Sequence, residues 1–333
     1  MEILDDPVDR LLLDNWQRDF PIIERPFAEL AADLETDEQD VLRRLNWMLK
    51  SGQITRVGAT CSPNTVSAST LAAMAVPPEQ IDEVALIVGR ELGVNHSYER
   101  ENHWNLWFVV TGPDRTHVAG TLDRIRENTG LQVLDLQLVR PFNVDLGFRM
   151  SGEAAIKAAP ATARIIDCSM IEFGDRDILQ ALTNGMAIVS RPYAKLGQEL
   201  QRSEEEILRR LEVLSDAGII LRLGVIVRHR ALGWRANAMI VWDLHHDEIT
   251  DVGPKLATQT GVTLCYQRNP AETVWPYQLY SMIHARSREE AMASLKNALR
   301  LPELKHVPYQ ILFSTRCFKQ TGALIALSRE RAV

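Results

Sequence analysis

Apolar and polar positions along this chain follow two alternating periods, and the same order of periods occurs twice. Val41, Leu42, Leu45, Met48 and Leu49 recur at three- and four-residue spacing, which puts them in one stripe on a helix. With the segments before them they predict helices near Pro7–Phe20, Pro26–Leu34 and Asp37–Lys50. Thr36 with Gln39, and Ser203 with Glu206, have capping-box spacing at a helix start. Gly52 and Gly218 stand where a helix ends in left-handed geometry, and a short strand follows each, QITRVGAT and IILRLGVIV. Three helices and a strand ribbon predict a winged helix-turn-helix. Beyond it the pattern predicts strand Leu71–Val76, helix Pro78–Leu92, strands Val94–Arg100 and Asn105–Thr111, helix Pro113–Asn128 and strand Leu131–Arg140. The second run is Ala236–Trp242, about Asp247–Gln259, Val262–Arg268, Tyr277–His284, Arg286–Leu299 and His306–Phe313. The order βαββαβ is that of a ferredoxin-like fold, a four-stranded antiparallel sheet with two helices on one face.

The two runs are copies. A shift of 166 residues lays RPFAELAADL (25–34) on RPYAKLGQEL (191–200), and DVLRRLNWMLKSGQITRVG (40–58) on EILRRLEVLSDAGIILRLG (206–224). Arg44/Arg210, Gly52/Gly218, Arg56/Arg222 and Gly58/Gly224 are among the identical pairs. Later the offset drifts, and GVNHSYER (93–100) matches GVTLCYQR (261–268). The fold class is therefore α+β, a tandem duplication of a winged helix-turn-helix plus a ferredoxin-like domain. The division is 1–60 and 61–150 for the first copy and 170–227 and 228–333 for the second. The stretch 151–169, Ala-rich over Ser151–Ala163, reads as the linker. The uncovered face of one sheet needs a partner, and the other half supplies it as an intramolecular pseudo-dimer.

Composition narrows the class. The 333 residues are 46% hydrophobic and 24% charged, those of a globular protein able to bury a core without disulfide or metal staples. No apolar run reaches the ~18–20 residues of a membrane helix. The opening MEILDDPVDR is acidic where a secretory signal is basic, so a cytoplasmic location is expected. Cys61, Cys168, Cys265 and Cys317 have no metal spacing and read as reduced thiols. Net charge is −7, which disfavours a protein devoted to gripping phosphates. The recognition helices agree. Asp37–Lys50 balances three acids with three bases, and Ser203–Ala217 carries Glu204, Glu205, Glu206, Glu212 and Asp216 against two bases. Acids crowd the turn that would enter a groove. Either these are retained packing modules, the reading preferred here, or they contact DNA.

Chemistry is densest in HSYERENHWNLW, which holds His96, Tyr98, Arg100, His103, Trp104 and Trp107. On a strand His96, Tyr98 and Arg100 share a face. His103 opens the returning strand and is expected to approach the same pocket. Imidazoles, a guanidinium, a phenol and indoles suit a flat, conjugated, anionic ligand: rings stack, Arg pairs with carboxylates, and His ligates a metal or moves a proton. The second copy has Leu264, Tyr266 and Arg268 at the matching positions, with Pro276 near the place of His103. Its imidazoles are gone. That asymmetry fits a single site catalysed by the first half and completed by the second, or an idle second copy. Arg228-His229-Arg230 meets either carboxylates or only solvent. There is no Walker loop, GxGxxG, GxSxG or HExxH.

A winged helix followed by a ferredoxin-like domain resembles the Lrp/AsnC regulators. Within that group RPFAELA, EQDVLRRLNWMLKSGQITRVGA, HSYERENHWNLWFVV and RPFNVDLGF resemble the sirohaem decarboxylases of haem d1 and alternative haem biosynthesis. RPYAKLGQEL, EEEILRRLEVLSDAGIILRLGVIVRHRALGW and TLCYQRNPAETVWPYQLYSMIHA resemble the partner subunit, so the chain looks like a fused two-subunit form from about Leu11 to Gly322. The resemblance implies loss of CO2 from the C12 and C18 acetates of sirohaem, giving 12,18-didecarboxysirohaem, with no cofactor beyond the substrate's iron. It implies His96 and His103 as the catalytic pair, one donating a proton and one meeting iron or an acetate. Arg100 and Tyr98 would hold the reacting carboxylate, and Tyr266 and Arg268 would close the site. Trp104, Trp107 and Trp275 are candidate stacking walls; Arg56, Arg222, Arg228 and Lys319 are candidates for pairing with other carboxylates. The implied partners are the iron tetrapyrrole, and for the pseudo-dimer a further copy or other tetrapyrrole-pathway enzymes, with no nucleic acid and no membrane. An Lrp/AsnC-type transcriptional regulator with a haem or small-molecule effector, and a haem carrier, are the rival readings.

Overall fold

The structure, a computed structural model, describes residues 6–144, 166–271 and 273–327; the linker expected over Ser151–Ala163 lies outside them. The first copy runs α1 (Pro7–Asn15), α2 (Pro26–Asp33), α3 (Glu38–Lys50), β1 (Ile54–Cys61), β2 (Ala68–Met74), α4 (Ile81–Arg90), β3 (Val94–Arg100), β4 (Leu106–Gly112), α5 (Arg115–Thr129) and β5 (Val133–Asn143). The second runs α6 (Asp175–Asn184), α7 (Pro192–Leu200), α8 (Glu204–Asp216), β6 (Ile220–Val227), β7 (Ala236–Trp242), α9 (His246–Ala257), β8 (Val262–Arg268), β9 (Leu279–Ala285), α10 (Arg288–Ala298) and β10 (Tyr309–Gln320).

Both helical units bury their stripes in one common core, from Leu12 and Leu45 of the first copy to Leu179 and Leu211 of the second. Two details differ from the sequence reading. Asp37, not Thr36, caps α3, its side chain accepting from the Asp40 N–H at 2.8 Å. Leu49 lies outside the buried stripe, 39% exposed. The identical pair Arg44/Arg210 has a structural task. Arg210, buried on α8, grips buried Asp175 at the start of α6 through Nε and Nη2, at 3.0 and 2.7 Å. Arg44 does the same with Asp9, Asp6 and Asp40.

The ribbon does not belong to either copy. β1 pairs antiparallel with β6, Gly58 facing Gly224 on the local two-fold axis. Helix α1 ends at Asn15 rather than running to Phe20, because the residues after it are drawn onto the other copy's ribbon strand. Trp16 O accepts from Val225 N at 2.6 Å, and Phe20 N donates to Leu223 O at 3.2 Å. Gly224 permits this approach, since a Cβ there would stand 2.4 Å from Trp16 O. Gly58 serves the same purpose opposite Leu182 O, where a Cβ would be at 2.1 Å.

Each ferredoxin-like half keeps its own core between sheet and helices. The two sheets are joined at their edges: β5 pairs with β8, and β10 with β3, closing an eight-stranded barrel in the order β10-β3-β4-β2-β5-β8-β9-β7. A third core fills its interior, from Leu71 and Leu136 to Met239 and Leu312. Strand alternation sends residues 96, 98 and 100 inward from one half and 264, 266 and 268 from the other. Among the described residues no helix is long and apolar enough to cross a membrane.

Candidate functional site

One mouth of the barrel opens under the β1–β6 ribbon onto a cavity of about 370 Å³. The barrel contributes His96, Tyr98, Arg100, Tyr266 and His284, and the ribbon side contributes Arg56, Arg222 and His229. None of the described residues lining it is Asp or Glu. Apolar walls, including Leu71, Met239, Leu264 and Met282, separate the polar groups. Three guanidiniums and three imidazoles without a carboxylate form a site built for anions.

Arg100 is one of the buried groups of the set. It is 5% exposed, and its Nη1 donates to Leu312 O at 3.0 Å and to Asn237 Oδ1 at 3.3 Å. Burial pulls its pKa down to about 10, as it does that of Arg56. A polar chain holds it in place. Asn237 Nδ2 donates to His284 Nε2 at 2.8 Å, His284 Nδ1 meets Thr263 Oγ1 at 2.7 Å, and that hydroxyl donates to Met282 O at 3.0 Å. Because Asn237 uses its oxygen on Arg100, its nitrogen must face His284. That leaves the proton of neutral His284 on Nδ1. Both nitrogens of His284 are thus engaged, and burial, first of all, holds its pKa well below the usual imidazole value.

Two further imidazoles stand at the wall. His96 Nδ1 lies 3.3 Å from Tyr98 OH, and the two rings stack at 6.2 Å. His229 packs edge-on against His284 with ring centroids 4.9 Å apart. Burial, aided by Arg56, pushes His96 down to about 4; burial, aided by Arg230 and His96, does the same to His229. Both are thereby held neutral near pH 7. A bound polyanion reverses the sign of that local potential and raises both values.

The structure gathers only part of the sequence-based set. His96, Tyr98, Arg100, Tyr266, Arg56, Arg222 and Trp107 line the cavity. His103 does not. It sits exposed in the β3–β4 turn, its ring edge-on to Trp104 at 5.9 Å. The turn carries it past Arg100, away from the mouth where His96 lies. Trp104 and Trp275 plug the inner core beneath the cavity, and Trp275 packs on Trp107 at 5.2 Å while donating to Tyr280 OH at 2.8 Å. Arg268 faces the same core, donating to Leu136 O at 2.8 Å and stacking on Tyr266. Arg228 is exposed beside Gly52. Lys319 donates to Gly89 O and Glu91 O at the end of α4. The expectation that imidazoles come from the first half alone is corrected by His229 and His284. His229 stood in the Arg-His-Arg cluster, ambiguous without the ribbon crossover. His284 was legible in retrospect as a polar residue in phase with Tyr280 and Met282 on the returning strand.

Comparison with known proteins follows the same lines. Residues 9–54 and 175–220 match the family model described as the siroheme decarboxylase NirDL-like HTH domain. Residues 66–142 and 231–319 match the AsnC-like ligand binding domain. A "Siroheme decarboxylase NirDL subunit" of Paracoccus denitrificans is 51% identical over 96% of this chain and 98% of that one. A "Siroheme decarboxylase" of Hydrogenobacter thermophilus is 28% identical over 91% of this chain and 90% of its own. The crystal structure of siroheme decarboxylase NirDL in co-complex with an iron-uroporphyrin III analogue matches with a TM-score of 0.67 at 27% identity. That match covers 96% of this chain and 95% of that one.

Proposed function

Because the chain belongs to the sirohaem decarboxylase family, we propose that its barrel cavity binds sirohaem and releases CO2 from the C12 and C18 acetates. The observation that supports this most is the cluster of Arg56, Arg100, Arg222, His96 and His229 around a cavity whose described lining holds no Asp or Glu. Burial disfavours the charge of a guanidinium such as that of Arg100 until an anion arrives to pair with it. The eight carboxylates of sirohaem are such anions.

In each event the bond between the acetate methylene and its carboxylate breaks. The electron pair stays on the methylene carbon, delocalised into the macrocycle, and a proton then converts that carbon to methyl. Arg100, fixed by Asn237 and His284, orients the reacting side chain, with Tyr98 beside it. Apolar neighbours such as Leu264 and Met282 leave the departing carboxylate poorly solvated, which favours its loss as neutral CO2. His96 and His229 are the candidate proton donors. They become charged when the carboxylates approach, so the substrate prepares its own acid. Arg56 and Arg222, one from each ribbon strand, pair with the carboxylates that stay.

Anaerobic incubation of the protein with sirohaem, followed by mass measurement, tests the reading. A mass decrease equal to one or two CO2 is expected. Binding with unchanged mass would reduce the protein to a tetrapyrrole carrier.

A further inference from the structure

The cavity has two lobes related by the duplication, and only one carries imidazoles. On the ribbon side Arg56 answers to Arg222 and Pro63 to His229, at the same offset of 166 that aligns the halves, and all four line the wall. In the barrel Tyr98 answers to Tyr266, and His96 to Leu264, again all at the wall. Arg56 and His229 both act electrostatically with His96, which places the three in one lobe. Behind them lies the chain of His284, Asn237 and Arg100. The opposite lobe offers Arg222, Tyr266, Leu264 and Pro63. It can pair with a carboxylate, but it has no imidazole to protonate a carbanion. The position of His284 is taken there by Thr111, whose hydroxyl donates to Gly93 O and accepts from Leu324 N.

Resting on the decarboxylase reading above, we propose that both carboxylates leave from the one imidazole-bearing lobe, and that the macrocycle leaves the protein and re-enters turned over between the two losses. The substrate's geometry allows this. The C12 and C18 acetates lie symmetrically about the meso carbon joining their two rings, each beyond a propionate, so a half-turn about the axis through that carbon exchanges them. At about 370 Å³ the cavity is near the small end of ligand pockets, which run about 300–1,000 Å³, a volume that leaves a tetrapyrrole with eight acidic side chains little room to turn over while bound. Each event takes one proton from an imidazole to fill the methylene carbon, and release of the half-finished macrocycle opens the lobe to water, which restores that proton.

The test is a quenched time course with sirohaem in large excess over wild-type protein, the three masses being separated and quantified. The species lacking one CO2 should rise to several times the protein concentration, with the species lacking two appearing after a lag. If the doubly decarboxylated species forms without a lag, and the intermediate never exceeds the protein concentration, both losses occur in one residence and the proposal is wrong. No loss of mass at all would instead overturn the decarboxylase reading, and this proposal with it.

Discussion

Acid should destabilise the protein well before its carboxylates titrate, and His96 should account for a measurable share. An unfolded imidazole takes up its proton near 6.5, whereas His96 and His229 in the fold do so only near 4. Between those values the unfolded chain binds more protons, so stability is complete above about 6.5 and falls as pH drops toward 4. At 1.36 kcal/mol per pH unit, the interval from 6.5 to about 4 is worth about 3 kcal/mol for buried His229. His96 is half-buried with its ring open to the cavity, so its contribution is discounted to about 2 kcal/mol. Against a net stability of about 5–15 kcal/mol these are large terms. The perturbation is His96→Leu, which copies the counterpart Leu264 and so suits this barrel position. Urea denaturation followed by circular dichroism, from about pH 7.5 down to about pH 4.5, measures the loss for both proteins. The variant should lose about 2 kcal/mol less than wild type over that range. Parallel losses would show that His96 is not held neutral by the fold, and the account of the cavity as a cationic, acid-free site would fail.

Other outcomes follow from single contacts. His96→Ala should lower the rate of CO2 release at least about 10²-fold in an anaerobic assay, while His103→Ala, outside the cavity, should stay within about twofold of wild type. Asp175→Ala takes the buried carboxylate from Arg210, which keeps only Glu172 and Met170 O, and should cost about 1–3 kcal/mol in a denaturation curve. Gly58→Ala pushes a methyl into Leu182 O and should cost about 1–3 kcal/mol while displacing the ribbon, visible as weaker binding of iron-uroporphyrin. A mobility-shift assay at low salt should give no complex with duplex DNA below about 10⁻⁴ M protein. In the structure Arg25 and Arg191 pair with Glu38 and Glu204 at the starts of the two recognition helices.

Much of the fold was legible because the duplication supplied two readings of each element. Val94–Arg100, Ala236–Trp242 and Val262–Arg268 coincide with the observed strands, and Ser203 caps α8 as its spacing required. Pairing across the halves was not legible. Periodicity identifies a strand but not its neighbour, so β1 and β6 read as separate wings instead of one ribbon. The same blindness affected the site. His96, Tyr98 and Arg100 share a strand face, and local spacing found them. His229 reaches the cavity only through the ribbon crossover, and His284 only through barrel closure. His103 was misplaced because the β3–β4 turn carries it out to solvent instead of back over the sheet.

The crossed arrangement of the segment after α1 on β6, and of α6 on β1, bears on why the two copies are covalently joined. Neither copy can finish its own helical core, since each completes the other's ribbon. Separate copies would face a choice of mates. A like-with-like pair would satisfy the same backbone contacts but separate His96 from His229 and His284, so neither chamber would hold the full set of imidazoles. A tether raises the local concentration of the unlike mate and so guards against mispairing, at no cost in new contacts. On this view the join safeguards heterogeneity more than it adds strength.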